Sequence, residues 1–171
     1  METCSIILSA GKGNRMLSSI PKPLHLISGK TMLQWVIDAN KSAGIEKTVV
    51  VVSQEFDKLD LNNKNVIKAI QKKPLGTGDA VRKATPLLKN FEGAVLICFA
   101  DTPFITAKTL KKIVKSFKNG YDLVLTGFKK NEKNKYGKII FDNNKKPNQI
   151  LEHKEIKRNK VDSNFCNGGI M

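Results

Sequence analysis

Residues 47–53 read KTVVVVS, a β-branched run in which no polar side chain marks a face turned to water. Such a strand has to be buried on both faces, which places it inside a parallel sheet covered by helices. Similar apolar runs recur as CSIILS (4–9) and AVLICFA (94–100), with NVIKAI (65–70) a shorter one. Amphipathic stretches lie between them. TMLQWVIDANKSAG (31–44) sets Leu33, Val36, Ile37 and Asn40 on one helical face, with Thr31 as its cap and Gly44 as its stop. TGDAVRKA (77–84) reads as a shorter helix capped by Thr77 and ended or restarted at Pro86. TAKTLKKIVKSFKNG (106–120) spaces Leu110, Ile113, Val114 and Phe117 at helical intervals before Gly120. Alternation of this kind predicts an α/β fold: a Rossmann-like, doubly wound, mostly parallel sheet with right-handed crossovers. YDLVLTGF (121–128) reads as a further strand, and YGKIIFDNNKKPNQILEHK (136–154) as a hairpin with a return strand. NFCNGGIM (164–171) begins a strand that is cut off at Met171, so the expectation is a fragment of a longer domain.

The 171 residues carry a net charge of +15, nearly all of it lysine, with arginine only at positions 15, 82 and 158. Nucleic-acid readers favour arginine with interleaved aromatics, and aromatics are 6% here, so the charge argues against nucleic acid as a partner. The same positive field attracts polyphosphates. Cys4, Cys98 and Cys166 form no CxxC pair, which points to neither zinc nor a disulfide framework. No apolar segment approaches the roughly 18 residues of a membrane span, and no signal peptide opens the chain, so the expected setting is cytoplasmic, with no membrane partner.

In an open α/β sheet, ligands lie beyond the carboxyl ends of the strands. Three segments follow such ends: SAGKGNRM (9–16), QKKPLGTG (71–78) and ADTPF (100–104). The first turns on Gly11 and Gly13 and shows Lys12 and Arg15, with Lys22 held between Pro21 and Pro23. It matches neither GxxxxGK[ST] nor GxGxxG. A glycine turn of this kind is either a plain bend out of a strand or a phosphate cradle of backbone amides. A lysine stiffened by two prolines suits a position-sensitive phosphate contact. Asp101 is either a turn aspartate before Pro103 or a Mg2+ ligand that shares the ion with substrate phosphates. Gln71 can read a base edge through its paired donor and acceptor, and Gly76 lets a planar ring approach the backbone, though Gly-Thr-Gly also serves as an ordinary turn. No Ser–His or Cys–His constellation stands out, and His25 and His153 have no evident partners.

Taken in order, these segments resemble the sugar nucleotidylyltransferases, most closely the uridylyltransferase domain of the bacterial bifunctional GlmU family. LSAGKGNRM with PK (21–22) is similar to that family's L-A-A-G-x-G-T-R-M…P-K. QKKPLGTGDA, ADTPF, YGKII, ILEHK and NGGI match its later motifs, so the likeness runs from Cys4 to Ile170. The resemblance implies uridylyl transfer from UTP to N-acetylglucosamine 1-phosphate, a step toward peptidoglycan precursors, with Mg2+ as cofactor. It implies that Leu8, Ala10, Gly11 and Lys12 hold the nucleotide, and that Gln71 and Gly76 read uracil with Thr77 beside them. Arg15 and Lys22 neutralise phosphate charge and are the catalytic pair, and Asp101 binds the metal. Gly137, Glu152 and Asn167 contact the sugar or ribose. Ala100 stands where the family has Gly, and Lys138 where it has Arg. The family's second metal-ligating Asn and its β-helix acetyltransferase domain fall beyond Ile170, so residues 1–171 are expected to be an incomplete nucleotidylyltransferase domain. Two alternatives stand beside this. One is another NTP transferase, of the molybdenum-cofactor guanylyltransferase or the cytidylyltransferase type. The other is a non-catalytic phosphate- or RNA-binding fragment. The sequence sets no oligomeric state.

Overall fold

The computed structural model describes residues 2–11, 13, 16–59, 61, 65–130, 134–153, 155–156 and 163–171. The chain forms two compact units, Met1–Asp122 and Leu123–Met171.

The first unit is built on a four-stranded sheet. Strands β1 (Glu2–Leu8), β4 (Lys47–Ser53), β5 (Val66–Gln71) and β6 (Gly93–Phe99) lie in the order β5-β4-β1-β6, and every pairing is parallel. Ile6 pairs with Val49 on one side and Ile97 on the other. Val49 to Val52 are buried on both faces, as an uninterrupted valine run requires. Helix α1 (Met32–Ser42) follows the short ribbon β2 (Leu26–Ile27) and β3 (Lys30–Thr31). The Thr31 hydroxyl accepts from Gln34 N at 3.0 Å and caps α1, and Leu33, Val36, Ile37 and Asn40 are its buried face. Helix α3 (Ala107–Lys118) is capped in the same way by Thr106, and buries Leu110 and Ile113. Helix α2 (Thr77–Ala84) packs on β1, β4 and β5, where Ala80 and Ala84 meet Ile6, Leu8, Val49, Val51 and Ala69 in one cluster. Successive strand residues alternate faces, so Ile7 and Val50 turn to the other side. Each fully buried Val, Ile or Leu is worth about 1.5–3 kcal/mol, so these faces dominate the unit's stability.

Three expectations change. Thr77 does not cap α2: Gly76 is the N-cap residue, at φ +103°, and Thr77 is the first helical residue. The run 94–100 is not buried throughout. β6 ends the sheet among the described residues and its burial alternates, with Val95 40% exposed. The strand expected over 121–128 shrinks to β7 (Gly127–Lys129), because only these residues find a partner strand; Tyr121 and Leu123 lie exposed.

The second unit is an antiparallel sheet of order β7-β10-β8-β9, with β8 (Lys138–Phe141), β9 (Pro147–Leu151) and β10 (Phe165–Asn167). The β8–β9 hairpin turns on Asp142, whose Oδ1 accepts from Asn144 N and Lys146 N at 2.9 and 2.8 Å. Ile139, Leu151, Cys166 and Ile170 are its buried residues, and Lys138 is buried with Nζ 3.1 Å from Cys166 Sγ.

Candidate nucleotide site

The strand order fixes where a ligand can enter. The chain runs β1, β4, β5 in one direction and then returns to place β6 on the far side of β1. Beyond β1 and β6, connections leave the sheet to opposite sides and a crevice opens at the carboxyl ends. A cavity of about 600 Å³ lies there, within the usual size of a small-ligand site. A larger cavity, about 860 Å³, is lined by Glu2, Thr3 and Lys47 at the opposite, amino ends of the strands. The strand-end chemistry argues for the first.

All three segments singled out in the sequence reach it. From β1 come Leu8, Ser9, Ala10, Gly11 and Gly13; from β5 come Gln71, Gly76 and Thr77; from β6 come Phe99 and Asp101. Ser9 N donates to Val51 O at 2.8 Å and Ala100 N to Leu8 O at 3.0 Å, so the chain leaves the sheet only at Ala10. Gly13 has φ +60°, and a Cβ there would stand 2.8 Å from Lys22 Cβ. The glycine is what lets the lysine segment close over the loop. Lys22 opens a single 3₁₀ turn, Lys22–Leu24, set between its two prolines, with His25 N donating to Lys22 O at 3.2 Å. The His25 ring itself lies 3.1 Å from Ile20 O, a local partner. Asp101 sits in the turn after β6, where the Thr102 hydroxyl donates to Phe99 O at 2.7 Å.

The two turns bring Lys22 Nζ to Asp101 Oδ2 at 2.7 Å. Each side chain is about a third exposed (35% and 37%). An ion pair this open is worth about 0–1 kcal/mol, so phosphate oxygens or a cation can replace either partner at small cost. Among the described residues no group of three or more His, Cys, Asp or Glu side chains is placed to hold a metal ion. The lone Asp101 carboxylate, facing the cavity with one oxygen bound to Lys22, fits an ion of the magnesium kind, which keeps several waters and takes the rest of its shell from phosphate.

Gln71, buried at the end of β5, differs from expectation. Its Nε2 donates to Gly76 O at 3.1 Å and to Asp79 Oδ2 at 2.9 Å, so its donors are already used within the protein. Ala100 is fully buried, and its methyl group sits in the core rather than in the cavity. Lys12 and Arg15 lie outside the described residues. Gly137, Glu152 and Asn167 belong to the second unit, where they come together: Asn167 N donates to Gly137 O at 2.8 Å, and a Cβ on Gly137 would stand 3.3 Å from Glu152 Oε1. The sequence reading missed Pro23, Ala80 and Phe99 as lining residues, and Asp79 as the partner of Gln71. The one available signal for Asp79 was its spacing to Arg82 and Lys83, three and four residues on.

A parallel sheet with a glycine loop, a fixed lysine and an aspartate around its switch point defines a nucleotide-binding α/β protein. The chain belongs to the MobA-like NTP transferase domain family, which it matches over residues 5–146. The family is one of NTP transferases, a class that generally works with a divalent metal. The chain is similar to the "Bifunctional protein GlmU" of Parvibaculum lavamentivorans, at 39% identity over 171 residues, which cover 98% of this chain and 38% of that protein. It is also similar to the "Bifunctional protein GlmU" of Clostridium tetani, at 36% identity over 174 residues, covering 99% and 38%. The chain thus spans about 38% of the length of these relatives. Among solved structures, a UDP-glucose pyrophosphorylase complexed with UDP-glucose shares the fold, with a TM-score of 0.78 over 99% of this chain and 75% of that one, at 19% identity.

Proposed function

We propose that residues 1–171 belong to a transferase domain that forms UDP-N-acetylglucosamine and pyrophosphate from UTP and N-acetylglucosamine 1-phosphate. The reading is supported above all by one observation: Lys22 and Asp101 meet at 2.7 Å in a strand-end cavity that the glycine loop and Gln71 also line. Transfer of this kind asks the protein for alignment and charge neutralisation, not for a nucleophilic side chain. An oxygen of the sugar phosphate attacks the α-phosphorus of UTP; the bond to the bridging oxygen breaks, and pyrophosphate leaves. Leu8, Ala10, Gly11 and Lys12 hold the nucleotide, and Gly76 and Thr77 flank the base read by Gln71. Arg15 and Lys22 offset the charge on the triphosphate. Asp101 is the residue for a magnesium ion, which when bound supplies further charge neutralisation at the phosphates. Gly137, Glu152 and Asn167 bind the sugar or ribose. Such an enzyme draws on UTP and works in the cytoplasm.

The test is pyrophosphate release with Mg2+ from UTP, CTP and GTP, each against a panel of sugar 1-phosphates. The expected result is release that requires UTP and N-acetylglucosamine 1-phosphate together, at least about tenfold above any other pair, a margin of about 1.4 kcal/mol. Release favouring GTP or CTP assigns the chain to another transferase of its family. Release that ignores the sugar phosphate overturns the reaction.

A further inference from the structure

The Gln71 amide orientation follows from chemistry. Its nitrogen faces Gly76 O and Asp79 Oδ2, and both are oxygens that only accept, so both amide hydrogens are engaged. Only the amide oxygen remains to meet a ligand in the cavity that Gln71 lines. Asp79, in the first turn of α2, is held in turn. Its Oδ1 accepts from Arg82 Nη2 at 2.9 Å and lies 3.7 Å from Lys83 Nζ. These two cations fix the carboxylate and offset a charge that otherwise repels a triphosphate. The side chain of Asp79 is 8% exposed, so water competes little for its oxygens.

We propose that Asp79 is a positioning residue for base selection: it locks the Gln71 amide so that the site offers an acceptor, and so favours uracil, with its ring N–H, over cytosine, whose N3 is bare. This rests on the nucleotide reading given above. In the pose where the Gln71 oxygen accepts from N3–H of uracil, cytosine sets one lone pair against another and leaves an acceptor unpaired. Without Asp79 only Gly76 O still holds the amide nitrogen, so turning over to donate to cytosine N3 costs less. The lock therefore acts on the ratio of affinities, not on the fold.

Isothermal titration of the full chain with UTP and with CTP, both with Mg2+, tests this on wild type, Asp79→Ala, Gln71→Ala and the double variant. The expected result is an about tenfold fall in the UTP-to-CTP affinity ratio for Asp79→Ala, the scale of one hydrogen bond. The Gln71→Ala ratio falls as far, and the double variant falls no further, because Asp79 works only through Gln71. If Gln71→Ala lowers the ratio and Asp79→Ala leaves it unchanged, the lock is overturned and the base-reading role of Gln71 stands. If neither variant changes the ratio, or wild type shows no preference, the assignment of Gln71 to the base falls, and the lock with it.

Discussion

At the scale of single residues, the site depends on two short approaches. The Lys22–Asp101 pair joins the β1 and β6 sides of the crevice. Replacing Asp101 with Ala removes the carboxylate proposed to hold the metal and is expected to cut turnover at least about a hundredfold, as loss of a main electrostatic stabiliser does. The melting temperature stays near wild type, because so open a pair adds little stability. Activity that persists in Asp101→Ala with Mg2+ present contradicts the assignment. The second approach is Gly13 against Lys22. Gly13→Ala adds a Cβ 2.8 Å from Lys22 Cβ in a backbone conformation of φ +60°. The expected cost is about 1–2 kcal/mol of stability, read by denaturant unfolding, together with weaker UTP binding as Lys22 is pushed aside. A variant as stable as wild type, with unchanged affinity, argues against this packing.

At the scale of elements, α2 carries the titratable group with the clearest consequence. The Gln71 amide, and then the Arg82 guanidinium, hold the Asp79 carboxyl below its ordinary value of 3.8. The native value lies below the unfolded one, so this contribution to stability is whole above pH 3.8 and is lost as pH falls through the native value. The stability gap between wild type and Asp79→Ala is therefore expected to hold from about pH 7 to about pH 4.5 and to narrow as pH falls below 3.8. A gap that stays constant to about pH 2.5 contradicts it. The same helix shows where sequence reading reaches its limit. The strands at 47–53 and 4–9 were legible because burial on both faces leaves no polar alternation; their inner polar residues, Ser5 and Thr48, are buried and satisfy each other at 2.9 Å. α1 was legible from spacing and from its Thr31 cap, and α3 from spacing. The start of α2 was not, since Gly76 serves by its backbone angle rather than by a side chain. Two-residue strands such as β2 and β3 carry no period to read. The state of the Gln71 amide was hidden because it depends on a contact eight residues away that only the folded turn creates. The residues that follow β1, β5 and β6 were found because strand ends are where such sheets bind ligands.

At the scale of the whole molecule, the net charge of +15 draws polyphosphates to many places, so affinity for UTP does not by itself locate a site. The larger cavity at the amino ends of the strands is itself rimmed by Lys47, Lys89, Lys111, Lys115 and Lys118. What distinguishes the strand-end cavity is that glycine amides, Lys22, Gln71 and Asp101 share it. The most direct measurement is a titration of the ¹⁵N-labelled chain with UTP and Mg2+, followed amide by amide. The amides of Gly11, Gly13, Lys22, Gly76, Thr77 and Asp101 are expected to move together and saturate, while those of Lys47, Phe91 and Lys118 stay in place. Saturable shifts confined to the second set, with the first set unmoved, contradict the account.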